Sequence, residues 1–313
     1  RRNGVPPDQV SIRIRIDAGS LYESESERGY ADLIEHLVFR ESKYLGEAQA
    51  IPTWQRLGAS FGNDTNAETT PTQTVYKLDL PGATAASIDE SFKLLSGMMT
   101  APTLSEANVR TEVPIVLAEK RERGGAVERM QEASRETFFA GQLLASRSPI
   151  GTEASLNGAT AASVRGFYSR WYRPENAVIV MAGDLEPAQL ANLVQKYFHD
   201  WKGTGPRAPE PNFGDPTPTG TPTRVLVEAT LPTTVSIAYL RPWRKVDDTI
   251  AYNKQLLVDA LALQIINRRL EVQARGGGNF LFAEVAQEDH LPPEDLNHRV
   301  APRHLAVRER HLA

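Results

Sequence analysis

Three residues between positions 29 and 39 have the types and the spacing of a catalytic metal-site helix. Asp32, Glu35 and His36 stand at positions i, i+3 and i+4, so on an α-helix their side chains project from one face. Imidazole and carboxylate groups bind zinc, and a separate carboxylate can accept the proton of a metal-bound water. These residue types at this spacing would suit metal-assisted hydrolysis, with Glu35 as the general base and His36 as a ligand.

Two further carboxylates share a helix face later in the chain. Glu112 and Glu119 are seven residues apart (119 − 112), which is about two turns of an α-helix. A catalytic zinc ion has protein ligands and one open position for water. Glu119 would act as a ligand beside His36, and Glu112 would hold a ligand in place by a hydrogen bond.

Taken alone, each of these groups has a simpler interpretation. Carboxylates along a charged helix usually form a solvated face. The remaining histidines have no partners at ligand spacing and are expected to be surface or structural residues: His199, His290, His298, His304 and His311. Only the wider context of motifs favours the metal-site interpretation.

The composition predicts a soluble globular protein with two domains. Of its 313 residues, 41% are hydrophobic and 24% are charged. The net charge of −4 provides no basic field for nucleic acid, and no apolar run is long enough to span a bilayer. The absence of cysteine excludes disulfides, thiolate zinc ligands and a cysteine nucleophile.

Strand and helix patterns alternate along the chain. Alternation of apolar and polar residues predicts strands at 10–19 and 72–80, and a short apolar run predicts a strand at 177–183. Helical patterns cover residues 29–43, 53–61, 84–100, 105–123, 187–201 and 249–273. Mixed strands and long helices predict an α+β fold, with helices packed on one face of a sheet.

A stretch rich in proline, glycine and threonine divides the chain. It can continue neither helix nor sheet, and it predicts a linker at 203–223 between a first domain, 1–202, and a second, 224–313. A strand–strand–helix pattern then begins again, with strands at 224–229 and 233–240. The second domain is therefore expected to be an incomplete copy of the first.

Several short motifs follow one another in a set order from about residue 3 to residue 202. Besides Glu35-His36 and Glu112-x6-Glu119, they are Ala18-Gly19-Ser20-Leu21-Tyr22-Glu23, Gly58-Ala59-Ser60-Phe61-Gly62, Asn66-Ala67, Thr74-Val75-Tyr76, Pro149-Ile150-Gly151-Thr152, Tyr172-Arg173-Pro174-Glu175-Asn176 and Ala182-Gly183-Asp184. In this order they resemble peptidase family M16, the pitrilysin- and insulinase-like zinc metallopeptidases. The fold that this resemblance implies is an M16-type domain, a mixed or antiparallel sheet covered by helices, followed by a partial second copy.

The resemblance also implies a zinc-dependent endopeptidase or oligopeptidase. Glu35 matches the catalytic base of the family, and His36 and Glu119 match two of its zinc ligands. Asp32 stands at the position of the first ligand. Glu112 matches the glutamate that accompanies the distal ligand on the same helix.

A mode of substrate binding follows from the same resemblance. Family members hold an extended peptide against a sheet edge beside the zinc ion, and the matching segment here contains Asn66, Ala67 and the strand Thr72–Leu80. Two halves of related domains enclose the family's active site. The implied partners are therefore an extended peptide substrate and a second M16 half or a partner subunit, with no nucleic acid.

Asp32 departs from the family motif, which is His-x-x-Glu-His. Aspartate is shorter than histidine and adds negative charge, so zinc binding is expected to be weak or absent; an engineered substitution would give the same sequence. Two hypotheses stand: an impaired zinc peptidase, and a non-catalytic homologue that serves as a peptide-binding or structural partner of an active subunit. Bacterial-type variants of the motifs at Pro149–Thr152 and Trp171–Pro174 favour a periplasmic location over the alternative, a cytoplasmic one.

Overall fold

The chain folds as two compact units, one of Arg1–Glu122 with Arg147–Pro211 and one of Arg123–Ser146 with Asn212–Ala313. The structure is a computed structural model and describes residues 2–214, 220–241, 246–289 and 303–311. None of the helices in these ranges combines the length and the apolar character needed to cross a membrane.

The α-helices divide between the two units. In chain order they are α1 (Tyr30–Arg40), α2 (Ala50–Arg56), α3 (Ala85–Thr100), α4 (Glu106–Arg123), α5 (Ala126–Phe138), α6 (Glu153–Asn157), α7 (Ala161–Trp171), α8 (Pro187–Phe198) and α9 (Ile250–Arg275). Helices α5 and α9 belong to the second unit.

An antiparallel sheet forms the centre of the first unit. Its strands are β1 (Val10–Ile16), β2 (Thr65–Thr69), β3 (Thr74–Leu80) and β4 (Ala177–Gly183), and their spatial order is β2-β3-β1-β4. Strand β1 alternates along its length, so that Val10, Ile12, Ile14 and Ile16 all lie on one buried face. Helix α1 packs on β2 and β3 and also contacts α3 and α7.

A second antiparallel sheet lies in the second unit. Its strands are β5 (Thr233–Arg241), β6 (Phe282–Asp289) and β7 (Arg303–His311), with β7 between the other two. Helix α9 is tied to β6 by the side chain of Asn267, whose Nδ2 donates to the Val285 carbonyl at 3.0 Å. The Val285 N–H donates in return to Asn267 Oδ1 at 2.7 Å.

The predicted fold class is confirmed: both sheets are antiparallel and are accompanied by helices. The predicted strand at 224–229 is wrong, because residues 224–228 have no strand pairing. Their charged ends bind α5 instead: Arg224 pairs with Glu136 at 2.5 Å, and Arg129 pairs with Glu228 at 2.5 Å. The predicted helix at 53–61 begins and ends earlier, at Ala50 and Arg56. The domain boundaries at 202 and 223 stay a prediction.

Candidate active site

Helix α1 presents its apolar residues and its candidate site residues on different faces. Leu33, Ile34 and Leu37 recur at helical spacing and are fully buried, which stabilises the helix against the sheet by about 1.5–3 kcal/mol for each side chain. Glu35 and His36 lie on the other face and are only partly buried. The amphipathic pattern that folds the helix thus also fixes where the chemistry-bearing side chains point.

His36 connects α1 to α4 through two carboxylates. Its Nδ1 lies 3.2 Å from Glu112 Oε1, and its Nε2 lies 3.3 Å from Glu119 Oε2. The two glutamates stand two turns apart on α4, so they reach the two nitrogens of one ring from a single helix face. The structure therefore brings together three of the predicted site residues, His36, Glu112 and Glu119.

Arg40 extends this network and was missed by the sequence analysis. Its Nη1 lies 3.1 Å from Glu112 Oε2, and its Nη2 lies 2.6 Å from Glu47 Oε1. Arg40 stands four residues after His36, and the i, i+4 spacing that identified the other site residues could have found it.

The electrostatics of the site favour a charged imidazole. Burial lowers the pKa of His36, but the hydrogen bond with Glu112 and the charge of Asp32 outweigh burial and raise this pKa to about 9. Burial raises the pKa of Glu112, but the hydrogen bonds with His36 and Arg40 outweigh it and hold the pKa below its usual value. The opposite directions of the two pKa shifts are those expected of an ion pair.

The described residues group too few donor side chains to hold a zinc ion tightly. Asp32 lies one turn before His36 on α1 and is buried. Across the described ranges, no three His, Cys, Asp or Glu side chains are grouped so that they could hold a metal ion. His36 Nε2 and Glu119 supply two converging donors, whereas a catalytic zinc ion requires three protein ligands. The residues as placed do not fit a tightly bound zinc ion.

Glu35 lies beside the edge strand. The hydroxyl of Thr69, the last residue of β2, donates to Glu35 Oε2 at 2.5 Å. Thr69 was not predicted as a site residue, because no sequence spacing relates it to α1. This hydrogen bond brings the general-base candidate to the end of the strand that contains Asn66 and Ala67.

The backbone groups of Ala67 lie on the outer edge of β2. Asp79 N–H donates to the Asp64 carbonyl, and Thr70 N–H donates to the Gln73 carbonyl. Because hydrogen-bonded and non-hydrogen-bonded pairs alternate in an antiparallel ladder, the even-numbered residues of β2 bond to β3 and the odd-numbered residues do not. Ala67 lies opposite Tyr76, between two hydrogen-bonded pairs. Its N–H and C=O groups therefore point away from β3, toward the sheet edge.

The remaining histidines belong to other elements or lie outside the described residues. His199 is exposed and pairs with Asp200 at 3.1 Å. His304 and His311 belong to β7 in the second unit. His290 and His298 lie outside the described residues.

Comparison with known protein families gives the class of protein to which this chain belongs. Residues 2–147 match the family described as insulinase (peptidase family M16), and residues 158–299 match the domain described as the peptidase M16 inactive domain. Since both matches are to one family and together take in most of the chain, the chain belongs to peptidase family M16.

Its relatives include proteins named as zinc proteases. The chain is 27% identical over 291 residues to the zinc protease PQQL-like of Arabidopsis thaliana. The aligned residues make up 92% of this chain and 30% of that protein. It is 31% identical over 190 residues to the probable zinc protease PqqL of Escherichia coli strain K12. The aligned residues make up 61% of this chain and 20% of PqqL.

The fold is also that of a solved relative. The crystal structure of the periplasmic protease PqqL from Escherichia coli matches 99% of this chain with a TM-score of 0.81 at 23% identity. The match takes in 34% of the PqqL chain. The chain thus spans about a third or less of the length of these relatives.

Proposed function

We propose that the chain carries the site of a zinc-dependent metalloendopeptidase or oligopeptidase whose hydrolytic activity is impaired by Asp32. Glu35 is the general base of this site, His36 and Glu119 are its zinc ligands, and Glu112 orients His36. Asp32 occupies the position of the first zinc ligand. The site acts on extended peptides that pair with the outer edge of β2 near Asn66 and Ala67.

The convergence of His36 and Glu119 across two helices is the observation that carries this proposal. In metal-binding histidines, one ring nitrogen faces the metal and the other usually donates to a carboxylate. His36 Nδ1 faces Glu112 while Nε2 faces Glu119, which is the arrangement expected when His36 and Glu119 share a cation. The names of the zinc protease relatives support the same assignment.

The expected impairment follows from the donor set. Aspartate replaces an imidazole nitrogen at the first ligand position, so the set becomes one imidazole and two carboxylates and gains negative charge. Zinc binding by such a set competes with the ion pairs that His36 already makes with Glu112 and Glu119. We expect less than stoichiometric zinc and slow peptide cleavage at physiological metal concentrations.

Metal analysis and peptide cleavage before and after Asp32→His test the proposal. The purified protein and its Asp32→His variant are analysed for bound zinc, and both are assayed on quenched fluorescent peptides with and without a chelator. We expect the variant to bind about one zinc ion and to gain chelator-sensitive cleavage. The double variant Asp32→His with Glu35→Gln serves as the control and should bind zinc without cleaving.

The alternative is a non-catalytic M16 homologue that binds peptides or supports an active subunit. The engagement of both His36 nitrogens by carboxylates favours it, since this network is electrostatically satisfied without a metal ion. Absence of zinc and of cleavage in Asp32→His would select this alternative. Stoichiometric zinc and chelator-sensitive cleavage in the unchanged protein would instead show that Asp32 does not impair the site.

Two further parts of the proposal concern the setting of the site. We propose a periplasmic location, on the strength of the bacterial-type motifs and of a relative described as a periplasmic protease. We also propose that a second M16 half or a partner subunit encloses the site, since this chain spans only part of its relatives' length. Fractionation with a periplasmic marker and co-purification of a second M16 half test these two points.

A further inference from the structure

A buried carboxyl group, six residues before the N-cap residue Gly29, accepts hydrogen bonds from the start of helix α1. Glu23 is 4% exposed, and its Oε2 and Oε1 accept hydrogen bonds from the N–H groups of Gly29 and Ala31 at 2.8 and 2.9 Å. Gly29 is the N-cap residue and has no side chain to satisfy the first N–H groups of the helix. Glu23 therefore acts as a capping residue from outside the helix, because its carboxyl oxygens accept the first N–H groups. Burial raises the pKa of this carboxyl well above its ordinary value, and the hydrogen bonds from Ala31 and Gly29 act in the opposite direction.

A turn from another part of the chain packs directly on the same helix start. Gly29 has φ of 96°, and a Cβ on it would lie 3.0 Å from Gly151 Cα. A Cβ on Gly151, whose φ is 67°, would lie 2.3 Å from the carbonyl oxygen of Arg28. The two backbones touch at positions where only glycine fits, so the turn at 149–152 fixes the axial position of the helix start.

A hydrogen bond connects helix α4 to the turn at 149–152. Lys120, the residue after Glu119, donates from Nζ to the Gly151 carbonyl at 3.0 Å. The Ser155 hydroxyl donates to the Arg28 carbonyl at 2.5 Å and holds the turn against α1 from the other side. One backbone contact thus connects the starting point of α1 with the part of α4 that carries Glu119.

The distance between His36 and Glu119 depends on the relative position of these two helices. Each residue advances an α-helix by about 1.5 Å, so a small axial shift of α1 removes the 3.3 Å contact between His36 Nε2 and Glu119 Oε2. Sites of this kind require positioning to within about 0.5 Å. None of Glu23, Gly151 and Lys120 is itself placed among the candidate ligands.

We propose that Glu23 is a positioning residue, and that its cap together with the Gly151–Lys120 contact sets the register of α1 against α4 and so the approach of His36 to Glu119. The consequence for metal binding rests on the proposed function, whereas the consequence for the two helices does not. Lys120 acts on the same register from the α4 side.

Glu23→Gln tests the proposal, with Glu27→Gln as the matched control. The control replaces a carboxylate in the same segment that bonds to Ser24 and Arg170 and not to α1. Hydrogen exchange should increase about five- to tenfold in residues 29–34 of Glu23→Gln, since one capped N–H loses its acceptor, and should stay unchanged in α3. In the Asp32→His background, Glu23→Gln should lower the affinity for Co²⁺ about tenfold and weaken its d–d absorption, as loss of a group that orients a ligand does.

A second variant keeps the test decisive if Glu23→Gln does not fold. Lys120→Met leaves the Glu23 cap intact and removes only the contact between α4 and the turn, and it should also lower Co²⁺ affinity. If Asp32→His binds no metal, the proposed function fails, and crystal structures of the variants decide the positioning role instead. They should show the His36–Glu119 distance lengthened by about 0.5 Å or more. Faster exchange with an unchanged distance and unchanged Co²⁺ binding would make Glu23 merely structural and overturn the proposal.

Discussion

His36 Nε2 and Glu119 Oε2 lie 3.3 Å apart although 83 residues (119 − 36) separate them in the chain. The contact joins α1 to α4 and continues on the other side of the ring to Glu112. A ring held between two carboxylates is stabilised most when it carries a positive charge. The residues that match zinc ligands therefore also form an ion-pair network that contributes to the stability of the fold.

The stability of the metal-free chain should fall as the pH rises above neutrality. The folded-state pKa of His36 is about 9, above its ordinary value of about 6.5, so the folded state binds the proton more tightly than the unfolded state does. The stabilisation is fully present below pH 6.5 and is lost as the pH rises through 9. Its size is at most about 3 kcal/mol.

Chemical unfolding with a chelator present, at several values between pH 6 and pH 10, measures this dependence. His36→Gln is the control, since it removes the titrating ring and should remove most of the pH dependence in that window. A decline of equal size in both proteins would assign the effect to other groups.

Glu112→Gln should destabilise the protein more than Glu119→Gln does. Glu112 pairs with both His36 and Arg40, and its side chain is 9% exposed against 27% for Glu119. Removal of a charge from a buried network leaves its partners uncompensated, at a cost of about 2–4 kcal/mol, whereas a more exposed pair contributes about 0–1 kcal/mol. Urea unfolding of the two variants at pH 7 compares these costs, and equal losses would contradict the central position of Glu112.

The sequence correctly predicted helices and strands whose positions follow from a periodic pattern in their own residues. The alternation of β1 and the apolar repeat of α1 are local patterns, and both elements lie where these patterns predicted them. The segment at 224–229 has a strand-like pattern too, but its charged residues bind α5, a helix that no predicted element covered. Side-chain pairing with a distant helix leaves no periodic signal in the segment itself.

Some residues of the candidate site could be predicted from sequence spacing and others could not. Glu112 and Glu119 share a helix face by their spacing alone, and the structure brings both to His36. Thr69 and Glu23 reach α1 from a strand end and from an upstream loop. Their contacts arise from the packing of separate elements, so no spacing rule could have identified them.

Gly151→Ala should be much more costly than Gly58→Ala. Both glycines have positive φ, 67° and 89°, so both substitutions introduce backbone strain of about 1 kcal/mol. A Cβ at Gly151 also collides with the backbone of Arg28 and Gly29, whereas a Cβ at Gly58 meets no atom within 4 Å. The collision adds about 1–3 kcal/mol.

Thermal unfolding of the two alanine variants isolates the collision, because the conformational strain is common to both. The expected result is a midpoint several degrees lower for Gly151→Ala than for Gly58→Ala. Similar midpoints would mean that the turn at 149–152 moves away from α1 at little cost.

Peptide binding should depend on the backbone N–H of Ala67. The ladder alternation directs the N–H and C=O groups of Ala67 to the outer edge of β2, where an extended peptide would add as a further strand. Ala67→Pro removes this N–H without removing a hydrogen bond to β3, and proline is tolerated on an edge strand for that reason. Loss of one backbone hydrogen bond, about 1 kcal/mol, should weaken binding about fivefold.

Fluorescence anisotropy with a labelled extended peptide measures this affinity, and it does so whether or not the protein binds metal or cleaves. Ala67→Ser is the matched control, since it changes the side chain and keeps the N–H, and it should bind as the unchanged protein does. The thermal midpoint of Ala67→Pro should stay close to that of Ala67→Ser, because the β2–β3 ladder is preserved. Equal peptide affinity in the proline and serine variants would exclude strand addition at this edge and leave the peptide to bind elsewhere on the chain.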